Sequence, residues 1–312
     1  MLLTSRLARM GPLVPLLGLA AVAWSASACS DVAARSLANG DRLLGVGELD
    51  AAIAEYKLAH RQSGQQPMVL LRLGHAYALR GDVDDALEYF DPLLEQDSSY
   101  RYQVAADLAT LATVARERGA SENMARALEP LEEWGLGFVP RDLQLSLAHH
   151  YWEDAEYARS LALYLTVLDH STDVEPAIYY ETARAYEELS GCERALELFE
   201  VYMSGADRRD EDMDSARWHF GNCLFLVADE DRAAGHPVAA LEKLDRMVQL
   251  GVPRTYLDDA HFLRGEMLLA VGNAQSALAA YRWVLDLNPA RSGALVRRAE
   301  ERIRQIRIGS DG

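Results

Sequence analysis

One spacing recurs along the sequence and constrains the fold more than any other feature. In the stretch LGHAYALRGDVDDALEYF, residues 73–90, the small residue Gly74 stands twelve places before the small residue Ala86. The same spacing joins five further pairs, which are Gly40 and Ala52, Ala112 and Met124, Ala148 and Ser160, Ala183 and Ala195, and Gly265 and Ala277. Two antiparallel helices approach closely only where both present small side chains. Each pair therefore predicts one helical hairpin.

A seventh copy is longer than the others. Gly221 and Ala240 stand nineteen places apart, so we expect seven extra residues in either the first helix or the turn of this hairpin. The second small positions follow one another at intervals of 34 to 45 residues, a period in the mid-thirties. In the copy quoted above, Gly81 ends the first helix, and the acidic residues Asp82 and Asp84 favour the start of the second through the helix dipole.

These residues resemble the tetratricopeptide repeat, whose two helices carry a W-x2-L-G-x2-Y pattern followed by A-x3-F and then P, over about 34 residues. The matching positions are Leu70, Leu73, Gly74, Tyr77, Ala86 and Phe90, then Leu147, Ala148, Tyr151 and Tyr164, then Ala183, Tyr186, Ala195 and Phe199, and finally Gly265, Ala277, Tyr281 and Pro289. Departures occur at Met124, which replaces an alanine, and at Asn39 and Leu43 in the first copy. The resemblance implies an all-α, right-handed α-α superhelical solenoid of about seven hairpins, with no cofactor.

The two ends of the chain set the predicted boundaries. The tail RSGALVRRAEERIRQIRI has Leu295, Ala299, Ile303 and Ile306 at helical spacing and arginines on the other face, which indicates a capping helix that shields the end of the solenoid. We expect a signal peptide over residues 1–28, a linker over 29–32, the solenoid over 33–290, the capping helix over 291–307 and a tail over 308–312.

The first 28 residues read as an export signal. They contain arginines, a short apolar run and an A-x-A ending, and the run is too short and interrupted for a transmembrane helix, which needs about 20 apolar residues. The segment Ala26-Ser27-Ala28-Cys29 resembles the lipobox of bacterial lipoproteins, which implies acylation of Cys29 and membrane attachment. Ala26 replaces the usual leucine, and the same residues suit ordinary signal peptidase, which would release a soluble periplasmic or secreted chain. Ser30 after the cysteine implies the outer membrane.

The resemblance also places ligand binding on the concave face, which is lined by the first helix of each repeat. It nominates Arg72, His75, His149, Trp152, Tyr180, Arg184, Trp218, His219, Asn222 and Phe262. Because tryptophan, tyrosine and arginine dominate the binding energy of protein interfaces, such a groove would suit an extended or helical peptide of an envelope protein. The alternative for each aromatic residue is packing between adjacent repeats.

Two cysteines follow Cys29 in the sequence. Cys192 begins the second helix of one predicted hairpin, and Cys223 lies in the first helix of the next. An oxidising compartment favours a disulfide between them. The alternative is two buried thiols in a helical core, since the sequence does not place the two Cα atoms within the ~7 Å that a disulfide requires.

Other classes of function find little support in the sequence. The formal net charge of −17 speaks against nucleic acid, whose phosphates need basic surfaces. His149 and His150 are adjacent on a helix and point in different directions, so we expect no metal site. The chain has no G-x-S-x-G, H-E-x-x-H, C-x-x-C or phosphate-binding glycine loop. The acidic run over 207–217 favours a solvated loop rather than paired catalytic carboxylates.

Together, the resemblance and the leader favour a non-catalytic protein-protein interaction scaffold of the bacterial cell envelope. A second interpretation is an assembly accessory lipoprotein for a pilus, secretion or outer-membrane complex. A third, from another class, is a regulator or subunit of an envelope enzyme.

Overall fold

The structure is a computed structural model that describes residues 18–134, 139–170, 174–207 and 209–310, with side chains described from residue 32 to residue 308. Within these residues the chain forms fifteen α-helices and no strand. The predicted all-α fold is therefore confirmed. Residues 1–17 of the predicted signal peptide lie outside the described part, as does the side chain of Cys29.

Fourteen of the helices form seven consecutive pairs, and the last helix follows alone. The helices are α1 (Gly18–Gly45), α2 (Leu49–Ser63), α3 (Pro67–Arg80), α4 (Val83–Gln96), α5 (Arg101–Glu117), α6 (Ser121–Trp134), α7 (Arg141–Glu153), α8 (Tyr157–His170), α9 (Pro176–Glu188), α10 (Cys192–Gly205), α11 (Met213–Ala233), α12 (Pro237–Leu250), α13 (Leu257–Ala270), α14 (Ala274–Leu287) and α15 (Ala294–Ser310). Every small-residue pair of the sequence has its first member in the first helix of a pair and its second member in the second helix.

The long copy, which is the hairpin of α11 and α12, has its extra residues in the first helix and not in the turn. Helix α11 has 21 residues, whereas α3 and α13 have 14 each, so the first helix of this hairpin contains all seven extra residues. The turn into α12 remains short, with Gly235 in the left-handed conformation at φ +80°.

The chain divides into two compact units. The first spans residues 1–143 and holds the hairpins α1–α2, α3–α4 and α5–α6, and the second spans residues 144–312 and holds α7 from Gln144 onward together with α8 to α15. None of the described helices is both long enough and apolar enough to cross a membrane.

Small residues of the first helices let a ring of the second helix lie against the backbone. A Cβ atom added to Gly265 would stand 2.6 Å from Cε1 of Tyr281, and Gly40 and Gly74 meet the rings of Tyr56 and Phe90 in the same way. Such a distance is far below van der Waals contact, so these three sites need glycine. In the copy that begins at Ala148, the buried Ser160 hydroxyl instead donates to the Ala148 carbonyl oxygen at 2.8 Å.

The predicted capping helix is present as α15. Ala299 and Ile303 are buried against α13 and α14, and Leu295 and Ile306 pack beside them, while Arg304 and other arginines face the solvent. This arrangement closes the apolar end of the last hairpin, as a repeat stack requires.

Candidate functional site

Six of the nominated residues lie close together on three first helices of the second unit. Trp152 comes from α7, Tyr180 and Arg184 from α9, and Trp218, His219 and Asn222 from α11. Three of them, Arg184, His219 and Asn222, contact a residue that the sequence did not single out, Glu187 of α9. We call Trp152, Arg184, Glu187, Trp218, His219 and Asn222 the Glu187 cluster.

Glu187 holds the cluster together. Asn222 donates from Nδ2 to Oε1 of Glu187 at 2.9 Å, and Oε2 lies 2.7 Å from Nδ1 of His219 and 3.5 Å from Nε of Arg184. The Glu187 side chain is only 10% exposed, and a carboxylate with so little access to water needs charged or hydrogen-bonding partners. Arg184, His219 and Asn222 therefore all contact the carboxylate of Glu187, and the contacts of His219 and Asn222 hold α11 against α9.

Arg184 also connects α9 to α7. Its guanidinium carbon stands 5.3 Å above the ring of Trp152, a cation–π contact, and the same Trp152 ring lies 4.9 Å from the ring of Tyr157. The indole is therefore held between a cation and a second aromatic ring. Three consecutive first helices share one continuous set of contacts.

Two of the nominated side chains, Trp218 and His149, are exposed to the solvent. Trp218 is 41% exposed, and its ring makes an edge contact with His219 at 4.9 Å between centroids. His149 is 60% exposed and lies 3.4 Å from Glu153 on its own helix. An indole that is half exposed beside a fixed polar cluster is available for contact with a partner.

The expected exposure of Tyr180 and Phe262 in the groove is wrong. Tyr180 is buried among the rings of Phe199 and Tyr202, with its hydroxyl 2.9 Å from Oγ of Ser215. Phe262 is also buried, and the guanidinium carbon of Arg298 in α15 lies 4.3 Å over its ring. For these two residues the packing alternative holds, because neighbouring helices cover both rings.

The remaining nominated residues, Arg72 and His75, belong to the first unit and bind acids on other first helices. Nε of Arg72 in α3 lies 2.9 Å from Oδ1 of Asp41 in α1, and Nδ1 of His75 lies 2.8 Å from Oδ1 of Asp107 in α5. The hydrogen bond to the buried Asp107 raises the pKa of His75, and burial of the imidazole opposes this rise. Both side chains have a structural partner, as Arg184 and His219 do.

Two further acids follow the small residue of a first helix directly, and sequence reasoning missed them. Tyr56 donates its hydroxyl to Asp41 at 2.7 Å, and Tyr281 donates its hydroxyl to Glu266 at 2.5 Å. Burial and the adjacent carboxylate raise the pKa of each tyrosine. The signal was present in the sequence, because in both copies the acid stands fifteen places before the tyrosine.

The structure joins Cys192 to Cys223 in a disulfide whose Cα atoms are 5.0 Å apart. The bond ties the start of α10 to α11 one residue after Asn222, next to the Glu187 cluster. Among the residues that the structure describes, no group of three or more histidine, cysteine, aspartate or glutamate side chains could hold a metal ion.

Comparison with known proteins identifies the repeat. Residues 37–101, which include the Gly40–Tyr56 and Gly74–Phe90 contacts, match the family model described as tetratricopeptide repeat. This part of the chain is a tetratricopeptide repeat. Tetratricopeptide repeat proteins are generally non-catalytic scaffolds. No curated protein sequence matches the chain.

Several solved structures are similar to this chain. The C-terminal part of a TPR repeat-containing protein from Cytophaga hutchinsonii is 13% identical, with 84% of this chain and 98% of that one covered and a TM-score of 0.38. A tetratricopeptide repeat protein from Parabacteroides merdae is 14% identical, with coverages of 88% and 99% and a TM-score of 0.33. A complex of Naa15 and Naa10 bound to HypK-THB is 15% identical, with coverages of 88% and 39% and a TM-score of 0.43.

Proposed function

We propose that this tetratricopeptide repeat protein is a non-catalytic interaction scaffold that binds a segment of a partner protein across α7, α9 and α11. The observation that carries the proposal is the Glu187 cluster, in which Arg184, His219 and Asn222 contact one largely buried carboxylate, and the partly exposed indole of Trp218 lies against His219. Rigid aromatic side chains lose little conformational freedom on binding, so such a surface gives affinity at low entropic cost.

The partner segment should offer an apolar side chain to Trp218 and polar groups to its surroundings. Arg184 is stacked on Trp152, and its charge is already balanced by Glu187, so the surface presents an aromatic contact more than a free cation. An extended strand or a helix of an envelope protein fits this chemistry. No catalytic motif in the sequence supports an enzymatic alternative.

The cell envelope is part of the same proposal, and it rests on the sequence of the first 30 residues. We propose that Cys29 is acylated after removal of the signal peptide and tethers the chain to the outer membrane on its periplasmic side. Membrane fractionation of a Cys29→Ser form tests this, because loss of the acyl chains should move the protein to the soluble fraction. A Cys29→Ser form that stays with the membrane would contradict lipid anchoring.

Partner capture tests the scaffold. The tagged protein is crosslinked in cells and purified, in parallel with a Trp152→Ala/Trp218→Ala form and a Trp218→Ala form. Trp283→Ala is the matched control, because Trp283 is 54% exposed on α14 and lies outside the Glu187 cluster. The expected result is a set of envelope proteins that the control retains and both cluster variants lose.

Circular dichroism must show that all three variants keep the helical content of the native chain. Trp218→Ala is the decisive form, because its exposed ring contributes little to the core and its loss should not unfold the second unit. Capture of the same partners by Trp218→Ala and by the native chain would overturn the assignment of this surface. Failure of the native chain to capture any protein would overturn the scaffold function itself.

A further inference from the structure

The second helices of the first unit form an acidic groove that the proposed partner surface does not use. The groove lies between α4 and α6 and has a volume of about 550 Å³. Its floor includes Leu94 and Trp134, and its rim carries four carboxylates, which are Asp91 and Glu95 from α4 and Glu129 and Glu133 from α6. We call this surface the acidic groove.

The charge of the acidic groove is unbalanced. None of the four rim carboxylates has an ion-pair partner within the part of the chain that the structure describes. Arg126, which lines the groove, forms its ion pair with Asp84, and the guanidinium carbon of Arg101 lies 5.4 Å from the ring centroid of Trp134. Burial, and to a smaller extent repulsion from Glu95, raises the pKa of Asp91. A groove with an apolar floor and four carboxylates, none of them in an ion pair within the described residues, favours a ligand that is both apolar and basic.

The chain carries a helix with this chemistry in α15. It contains five arginines and two glutamates, whereas the whole chain has a net charge of −17. Its apolar face is already packed on α13 and α14, and Arg298 and Arg302 contact Phe262 and Glu266 of α13. Arg297 and Arg304 are exposed to the solvent, and Arg304 pairs with Glu301 of its own helix. Arg297 and Arg304 stand two helical turns apart on one face, and Ile308 beyond them is 76% exposed. The helix therefore presents cations together with an unburied apolar side chain.

We propose that the acidic groove of one copy binds the arginine face of α15 of a second copy. In this contact Arg297 and Arg304 lie against the rim carboxylates, and Ile308 and the arginine stems cover Leu94 and Trp134. Charge complementarity selects the second copy as the occupant, because α15 concentrates exposed arginines in a protein that is otherwise strongly acidic. If each of two copies binds the α15 helix of the other, the result is a two-fold dimer. If each copy binds the α15 helix of a further copy, the result is an open chain of copies.

Sedimentation equilibrium of the purified full chain over a range of concentrations tests the proposal. All forms carry Cys29→Ser so that no lipid contributes to association. The groove variant is Asp91→Arg/Glu95→Arg, the helix variant is Arg297→Glu/Arg304→Glu, and the fourth form combines all four substitutions. The matched control is Glu193→Arg/Glu242→Arg, which makes the same charge change at exposed acids on the second helices α10 and α12.

We expect the native chain and the control to exceed the monomer mass as concentration rises. The groove variant and the helix variant should each associate at least about tenfold more weakly, since like charges then face each other, and the combined form should recover association. Raising the salt from about 0.1 M to about 1 M shortens the Debye length from about 10 Å to about 3 Å and should weaken association of the native chain.

Three results would overturn the proposal. The first is a native chain that stays monomeric at every concentration, and the second is equal loss of association in the control. The third is a combined form that associates no better than the two variants it joins. None of these outcomes depends on Trp152 or Trp218, so the test is independent of partner capture. Far-ultraviolet circular dichroism verifies that each variant is folded, and the substituted side chains are all exposed.

Discussion

Reduction of the disulfide between Cys192 and Cys223 should lower the free energy of unfolding of the second unit by about 4 kcal/mol. The bond joins residues 31 positions apart. A crosslink that closes a loop of this length removes about 12 cal/mol/K of entropy from the unfolded chain, which is about 3.7 kcal/mol at about 25 °C in the chain-entropy description. Both cysteines are buried, so reduction leaves two thiols in an apolar core, where they pack as small hydrophobic side chains.

Thermal unfolding measures this loss. For a unit of this size the expected fall in Tm is about 7–15 °C. Because the sulfur atoms are buried, the chain should be reduced in denaturant and refolded under reductant before the scan. A Cys192→Ala/Cys223→Ala form is the control, since its Tm should lie near that of the reduced chain and should not respond to reductant.

Thiol labelling supplies the result that would refute the reasoning. In a Cys29→Ser background, the denatured and unreduced chain should incorporate no label, because both remaining sulfur atoms are bonded. Two labelled thiols would show that the bond does not form. Full protection from labelling together with an unchanged Tm after reduction would instead refute the entropic argument and leave the bond in place.

Two further predictions concern the second unit and its unfolding free energy. Gly221→Ala should destabilise it by about 1–3 kcal/mol in a denaturant titration, because the new Cβ would lie 2.9 Å from the carbonyl carbon of Val252, whereas Gly45→Ala, with open space around it, should not destabilise the chain. Burial, aided by the positive charge of Arg264, lowers the pKa of His261 from 6.5 to about 4. The unfolded chain therefore binds more protons between these values, and stability should fall by up to about 3 kcal/mol as the pH drops from about 6.5 to about 4. A His261→Gln form should lose this slope.

Each of these two predictions has a clear contrary result. Equal stability of Gly221→Ala and the native chain would mean that the segment after α12, at Val252, does not lie as close to α11 as the structure places it. A pH titration with the same slope for His261→Gln and the native chain would assign the acid sensitivity to other groups.

Local chain chemistry explains why the hairpins could be predicted. The small-residue spacing placed both helices of all seven hairpins, because close approach within one hairpin depends on residues a few turns apart. Even the stretched copy at Gly221 was visible, although the sequence left open whether the helix or the turn was longer. The arginine-faced capping helix was visible for the same reason, since its periodicity lies within one segment.

The candidate site was less predictable, because it depends on contacts between hairpins. Tyr180, Trp218 and Phe262 all stand three places before the small residue of a first helix, yet only Trp218 is exposed. The other two rings are covered by residues of other helices. The ring of Phe262, for example, lies under Arg298 of α15. Glu187 could not be selected from the sequence, since its importance arises only where side chains of α9 and α11 converge on one carboxylate.

The length of α11 has a consequence for how such a chain can vary. Seven residues are almost two complete helical turns, so the insertion rotates the helix face by only about 20° while it adds about 10 Å of length. The helix face therefore stays directed at its neighbours, and the last turns of α11 pack on α12, where Val227 and Ala228 are buried in one core with Ala240 and Leu244. An insertion of five residues would have turned the following residues by about 140° away from their partners. A repeat can thus lengthen one helix and enlarge its own core, provided that it grows by whole turns.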